Sequence, residues 1–94
     1  MYIVYILKSL KDPTRSYIGI TQNLQRRLEE HNLDKSGYAQ RYAPWDVETY
    51  IVFSNGVLAE KFERYLKAGS GQVFLKKHLL PSLAKQNGPR RSST

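Results

Sequence analysis

The chain has 94 residues, a net charge of +7 and a pI near 9.8, with 40% hydrophobic and 12% aromatic residues and no cysteine. That composition excludes a disordered chain, a disulfide scaffold, a thiolate metal site and a cysteine nucleophile. A pI above about 9 in a single domain is expected of a nucleic-acid binder, with solubility alone as the bland alternative.

Tyr2 to Lys8 is β-branched and aromatic on both faces, so it reads as a central strand rather than a signal peptide or a membrane span. Asp12-Pro13 turns the chain. Tyr17 to Thr21 is a second strand, and the short connection makes a hairpin of the two. Gly19 within that strand marks a bulge or a place where something comes close to the backbone.

Thr21 or Asn23 caps a helix running to about His31, with Leu24 and Leu28 as its apolar stripe. Arg27 and His31, four apart, share a face beside that stripe. Glu29 and Glu30 point elsewhere and are read as solvated. Asn32 to Pro44 reads as a loop in which Lys35, Tyr38, Arg41 and Tyr42 alternate cations with aromatics. Such a loop could track a nucleic-acid backbone and stack on bases, or be an ordinary polar connection.

Trp45 to Phe53 alternates as a strand with Trp45, Val47, Thr49, Ile51 and Phe53 on its more buried side. Val57 to Ala68 has the three-to-four apolar spacing of a helix, ended by Gly69, with Glu63 at the edge of its stripe. A short third helix follows over about Gln72 to Leu80, ended by Pro81. The order β-β-α-β-α-α predicts an α+β domain, a small three-stranded antiparallel sheet flanked by helices. It spans residues 1–83, and 84–94 reads as a flexible basic tail.

Hydrolysis of a phosphodiester needs a group that activates water, a cation for the developing charge and, usually, a divalent metal held by a carboxylate. Arg27 and Glu63 are candidates for the last two. The run Tyr17-Ile18-Gly19-Ile20-Thr21, then Leu24, Arg26-Arg27-Leu28 and His31-Asn32, resembles the GIY-YIG nuclease family. So do Pro44-Trp45 before the third strand, and Ala59, Glu63, Leu66-Lys67 and Gly69-Ser70-Gly71. The likeness covers about Tyr2 to Leu80. It is nearest to small single-domain members similar to the N-terminal nuclease domain of bacterial excinuclease. The first signature departs from the family, reading Ile3-Val4-Tyr5 with the tyrosine kept and the glycine lost. A late family asparagine has no counterpart beyond Asn87, in the predicted tail.

By resemblance, the chain is an endonuclease domain acting on DNA, in a DNA-repair setting, with one Mg²⁺ or Mn²⁺. Tyr5 would help to activate the attacking water, and Tyr17 would lie beside it across the hairpin and contact the phosphate or metal-bound water. Arg27 would stabilise charge on the phosphate, His31 would tune proton transfer, and Glu63 would hold the metal. Gly19 is structural. A free tyrosine, with a pKa near 10, needs nearby positive charge from the metal, Arg27 or His31 to act as a base. The alternative is a non-catalytic nucleic-acid-binding module that retains the fold, and a third reading is a protein-interaction domain. Nothing in the sequence is a base-reading element, so a protein partner could supply target specificity. The absence of cysteine suits a cytoplasmic protein.

Overall fold

The computed structural model describes residues 1–79. Residues 80–94, with Pro81, Asn87, the domain boundary at 83 and the predicted tail, lie outside the described residues. Three strands form one antiparallel sheet: β1 (Tyr2–Ser9), β2 (Ser16–Thr21) and β3 (Trp45–Phe53), in the order β2-β1-β3. Helices α1 (Leu24–Leu33), α2 (Gly37–Arg41), α3 (Gly56–Leu66) and α4 (Gly69–Phe74) surround it, and α4 runs into a π-helical turn over Leu75–Leu79. The α+β class and the predicted order of elements hold, with α2 as an addition.

The central position of β1 follows from its sequence. Val4, Tyr5, Ile6 and Leu7 are all buried, because β1 has a strand on each side and helices on each face. Val4 and Ile6 pack against Ala59, Leu66, Leu75 and Leu79, with Ile18, Ile20, Phe53 and Phe62 at the margin. Tyr5 and Leu7 point the other way, onto Trp45 and the half-buried Leu24, Leu28 and Tyr42. Each Val, Leu or Ile side chain buried in this way contributes about 1.5–3 kcal/mol.

The hairpin is closed by Ser9, whose Oγ accepts from the backbone N–H groups of Lys11 (3.1 Å) and Asp12 (2.9 Å) and donates to the Tyr42 carbonyl. Asn23 caps α1 by accepting from the Arg26 N–H at 3.1 Å, and Asn55 caps α3 through the N–H groups of Val57 and Leu58.

Three local features differ from the sequence reading. The strict alternation expected of β3 is interrupted. Ile6 pairs with Thr49 and Leu7 with Val47, so Glu48 is an extra residue in a bulge, and its carboxylate pairs with Lys8 at 3.2 Å. Trp45 and Val47 therefore face the α1 side, while Ile51 and Phe53 face α3. The segment expected as a loop contains α2, which packs Ala39 inward and holds the Trp45 indole by a 2.9 Å bond from Nε1 to the Ala39 carbonyl. Gly37 enters this helix at φ +65, where a side chain would be strained. Gly69 does not end α3. That helix ends at Leu66, and Gly69 opens α4. Gly71 lies inside α4, against the Tyr65 carbonyl, where any Cβ would collide with backbone. Among the described residues, no helix is long and apolar enough to cross a membrane.

Candidate active site

The site is built on the α1 side of the sheet. Tyr5 sits in the middle of β1, 1% exposed, and its register partner on β2 is Gly19. The Tyr5 ring lies over that glycine, and a Cβ there would run into its hydroxyl and Cζ. Gly19 thus keeps open the space for a phenol rather than for a ligand.

The Tyr5 hydroxyl is held at both sides by α1. Arg27 Nε lies 3.3 Å away and donates to it, and His31 Nε2 lies at 3.1 Å. Arg27 and His31 are one helical turn apart, as the four-residue spacing requires. The phenol oxygen accepts from Arg27, so its own proton is free to point at His31 Nε2. His31 is itself buried, 5% exposed, in the last turn of α1. Its ring packs edge-on against Tyr17, with centroids 4.3 Å apart. Tyr17 pairs with Leu7 in the sheet, diagonal to Tyr5, and the two phenol rings stack at 6.5 Å with planes 6° apart. The Tyr17 hydroxyl makes no hydrogen bond among the described residues, and Tyr17 lines a cavity of about 340 Å³ together with Arg27 and His31.

Electrostatics sharpens these roles. Burial pushes the Tyr5 phenol above its ordinary value, against the opposing pull of the Arg27 hydrogen bond and charge. Burial, then the Arg27 charge, holds the His31 imidazole below its ordinary value. At neutral pH the phenol therefore keeps its proton, and His31 is a neutral acceptor rather than a source of positive charge. Arg27 is held more firmly protonated by its bonds to Tyr5 and Glu30.

Glu63 stands on α3, half-buried, and pairs with Lys67 at 2.8 Å. Its charge is the smallest of the influences that raise Tyr5, and Glu63 is not among the residues that line the cavity. Of the cation–aromatic segment, Lys35 and Arg41 are exposed and make no ion pair among the described residues. Tyr42 is half-buried under the Arg15 guanidinium, 4.9 Å from its ring centroid. Tyr38 donates to the Ser16 carbonyl at 2.8 Å and packs against Tyr17, Tyr42 and Trp45. These two rings are thus part of the domain's own aromatic cluster. Tyr38 also borders the cavity.

The GIY-YIG catalytic domain model matches residues 1–77. The chain belongs to the GIY-YIG family. Its relatives bear the names of endonuclease subunits. It is 41% identical over 73 residues to a structure-specific endonuclease subunit SLX1 of Candida dubliniensis, a match covering 70% of this chain and 26% of that protein. It is 40% identical over 62 residues to a Giardia intestinalis SLX1 homolog, covering 62% of this chain and 17% of the homolog. The chain thus spans about a quarter or less of the length of these relatives. A solution NMR structure of UPF0213 protein BH0048 from Bacillus halodurans has the same fold, with a TM-score of 0.52 over 100% of both chains at 22% identity.

Sequence reasoning missed two residues around this GIY-YIG site. Glu30, expected to be solvated and apart, accepts from Arg27 Nη1 at 2.8 Å and lines the cavity. Its position three residues after Arg27 was the available signal. Asn32 fixes the start of β3, accepting from Trp45 N and donating to Trp45 O with the two ends of its amide (2.6 and 3.1 Å).

Proposed function

We propose that this domain is a metal-dependent DNA endonuclease that hydrolyses phosphodiester bonds through Tyr5, Tyr17, Arg27, His31 and Glu63. The observation that carries this reading is the Arg27–Tyr5–His31 chain, with links of 3.3 and 3.1 Å opening beside a cavity. A buried phenol with a raised pKa is a poor free base, but it is suited to a relay. Tyr5 takes the proton of the attacking water while passing its own to His31 Nε2, so the ring nitrogen ends protonated and the water oxygen bonds phosphorus. Arg27 offsets charge on the phosphate oxygens, and Tyr17 donates to one of them. The phosphorus–oxygen bond to the leaving strand then breaks, and that oxygen takes a proton from solvent.

Among the described residues no group of three carboxylates or imidazoles gathers to hold a metal. The donor set is instead one half-buried carboxylate, Glu63, which pairs with Lys67 at 2.8 Å. A hard ion such as Mg²⁺ or Mn²⁺, bound by one carboxylate and completed by water and substrate phosphate, fits that set. Such an ion would supply positive charge at the scissile phosphate. The words "structure-specific" and "subunit" in the relatives' names support a branched or flapped DNA substrate and a protein partner that helps to choose it. A cytoplasmic location and a role in repair accompany this reading.

The test is incubation of the full chain with plasmid, branched and flapped DNA, with Mg²⁺, with Mn²⁺ and with chelator. Metal-dependent nicking that is lost in both Arg27→Ala and Glu63→Ala supports the reading. Nicking that survives both substitutions, or no nicking with either ion, refutes it. The second reading, a binding module without turnover, draws on Ile3 in place of the family glycine. It predicts salt-sensitive binding indifferent to chelator.

A further inference from the structure

A cavity opens beside the proposed relay. It is about 340 Å³ and is walled by Tyr17, Arg27, Glu30, His31, Asp34 and Tyr38. Two of its polar groups have no partner among the described residues. His31 is 5% exposed, and its Nε2 is taken by Tyr5, but its Nδ1 makes no hydrogen bond among those residues. With Nε2 accepting the Tyr5 proton, Nδ1 carries the ring N–H. A buried donor left in that state costs about 1–3 kcal/mol until something accepts from it. Asp34 Oδ1 is occupied by the Ser36 N–H and hydroxyl, both at 3.0 Å, while Oδ2 makes no hydrogen bond among the described residues.

Resting on the nuclease reading above, we infer that this cavity takes an unpaired nucleobase of the substrate, adjoining the scissile phosphate. A phosphate is disfavoured inside it. Glu30 and Asp34 form one wall, and Glu30 already engages the Arg27 guanidinium at 2.8 Å. A neutral planar heterocycle suits it. The Tyr17 and Tyr38 rings, with centroids 6.5 Å apart, offer aromatic surface, and His31 and Asp34 offer one donor and one acceptor. Every base carries both an acceptor and an N–H on one edge, so the pocket is indifferent to sequence. What it demands is that the base be out of the stack. Extrusion costs a few kcal/mol from a duplex and least where the nucleotide is already unpaired. The domain would thereby choose junctions and flaps with no groove-reading element.

The test is equilibrium binding of the full chain to flapped DNA in chelator, comparing an intact junction nucleotide with an abasic one. Wild type should bind the intact DNA about 5–150-fold more tightly, the range expected for one stacked base. Asp34→Ala, at an exposed position, should lose most of that difference and keep its affinity for abasic DNA, and Tyr38→Leu should do the same. Equal affinity of wild type for the two DNAs overturns the pocket, as does a difference that Asp34→Ala leaves untouched. A base-dependent difference in a protein that never nicks DNA would count against the nuclease reading alone.

Discussion

Gly19 lies directly across the ladder from Tyr5, and the phenol ring occupies the space where any other residue would place its Cβ. Gly19→Ala forces the ring aside, because its collision is with the hydroxyl and Cζ of a side chain packed on all sides. Overpacking of this kind costs about 1–3 kcal/mol. The bond to His31 at 3.1 Å is disrupted at the same time. Chemical denaturation should show the modest loss of stability. Nicking assays on the folded variant should show a disproportionate loss of turnover. Unchanged turnover would mean that the ring position is not critical.

Tyr5→Phe keeps the ring and removes the hydroxyl of the proposed relay. Turnover should fall about 10²–10⁴-fold, the usual contribution of a positioned proton-transfer group. The Arg27 Nε–H and His31 lose a partner, so a stability loss of about 1–3 kcal/mol should accompany it. DNA affinity in chelator should stay close to wild type. A variant that nicks DNA at the wild-type rate would remove Tyr5 from the mechanism.

Both ends of the pH range should weaken the fold. His31 is held below its ordinary value, so below about pH 6.5 the unfolded chain takes up a proton that the folded chain resists. Stability is full above that pH and declines as pH falls. Tyr5 is held above its ordinary value, so its contribution is full below about pH 10 and is lost as pH rises past it. Urea titrations at a series of pH values should give a plateau between these limits. The acid limb should flatten in His31→Gln and the alkaline limb in Tyr5→Phe. Limbs unchanged by these substitutions would assign the dependence to other groups.

Gly71→Ala probes the far side of the domain. Its Cβ would meet the Tyr65 carbonyl and the Leu66 Cα, backbone atoms that no rotamer change can move. The packing of α4 on α3 must open, and a loss of more than about 2 kcal/mol should appear in thermal or urea unfolding. Gly69→Ala, with open space around it, should be close to neutral. Equal effects at the two positions would contradict this packing.

The parts of the fold that were legible in sequence are those set by local pattern. Tyr2 to Lys8 had no polar face to expose, so it had to lie centrally. Asn55 and the spacing of Ala59, Phe62 and Leu66 placed α3. Arg27 and His31 could be set on one face because four residues make one turn. The rest depends on tertiary contacts. The bulge at Glu48 reverses a strand that alternates perfectly in sequence, and only the register against β1 decides it. The five residues of α2 are too few to be stable alone, and Ala39 and the Trp45 indole hold them. Tyr42 reads as an exposed loop aromatic until the return of the chain at Ser9 encloses it. The electrostatic character of His31 was also hidden, because a helix's last turn says nothing of how deeply its face is buried.

Tyr5, the proposed relay residue, belongs to the strand that is hydrogen-bonded on both edges and covered on both faces. Amide protons of such a strand exchange with solvent only when the whole domain opens. Partial fraying of α2 or of the last described turn therefore leaves Tyr5 where it is. Heating should leave catalytic competence intact until the cooperative unfolding transition, where competence and fold vanish together.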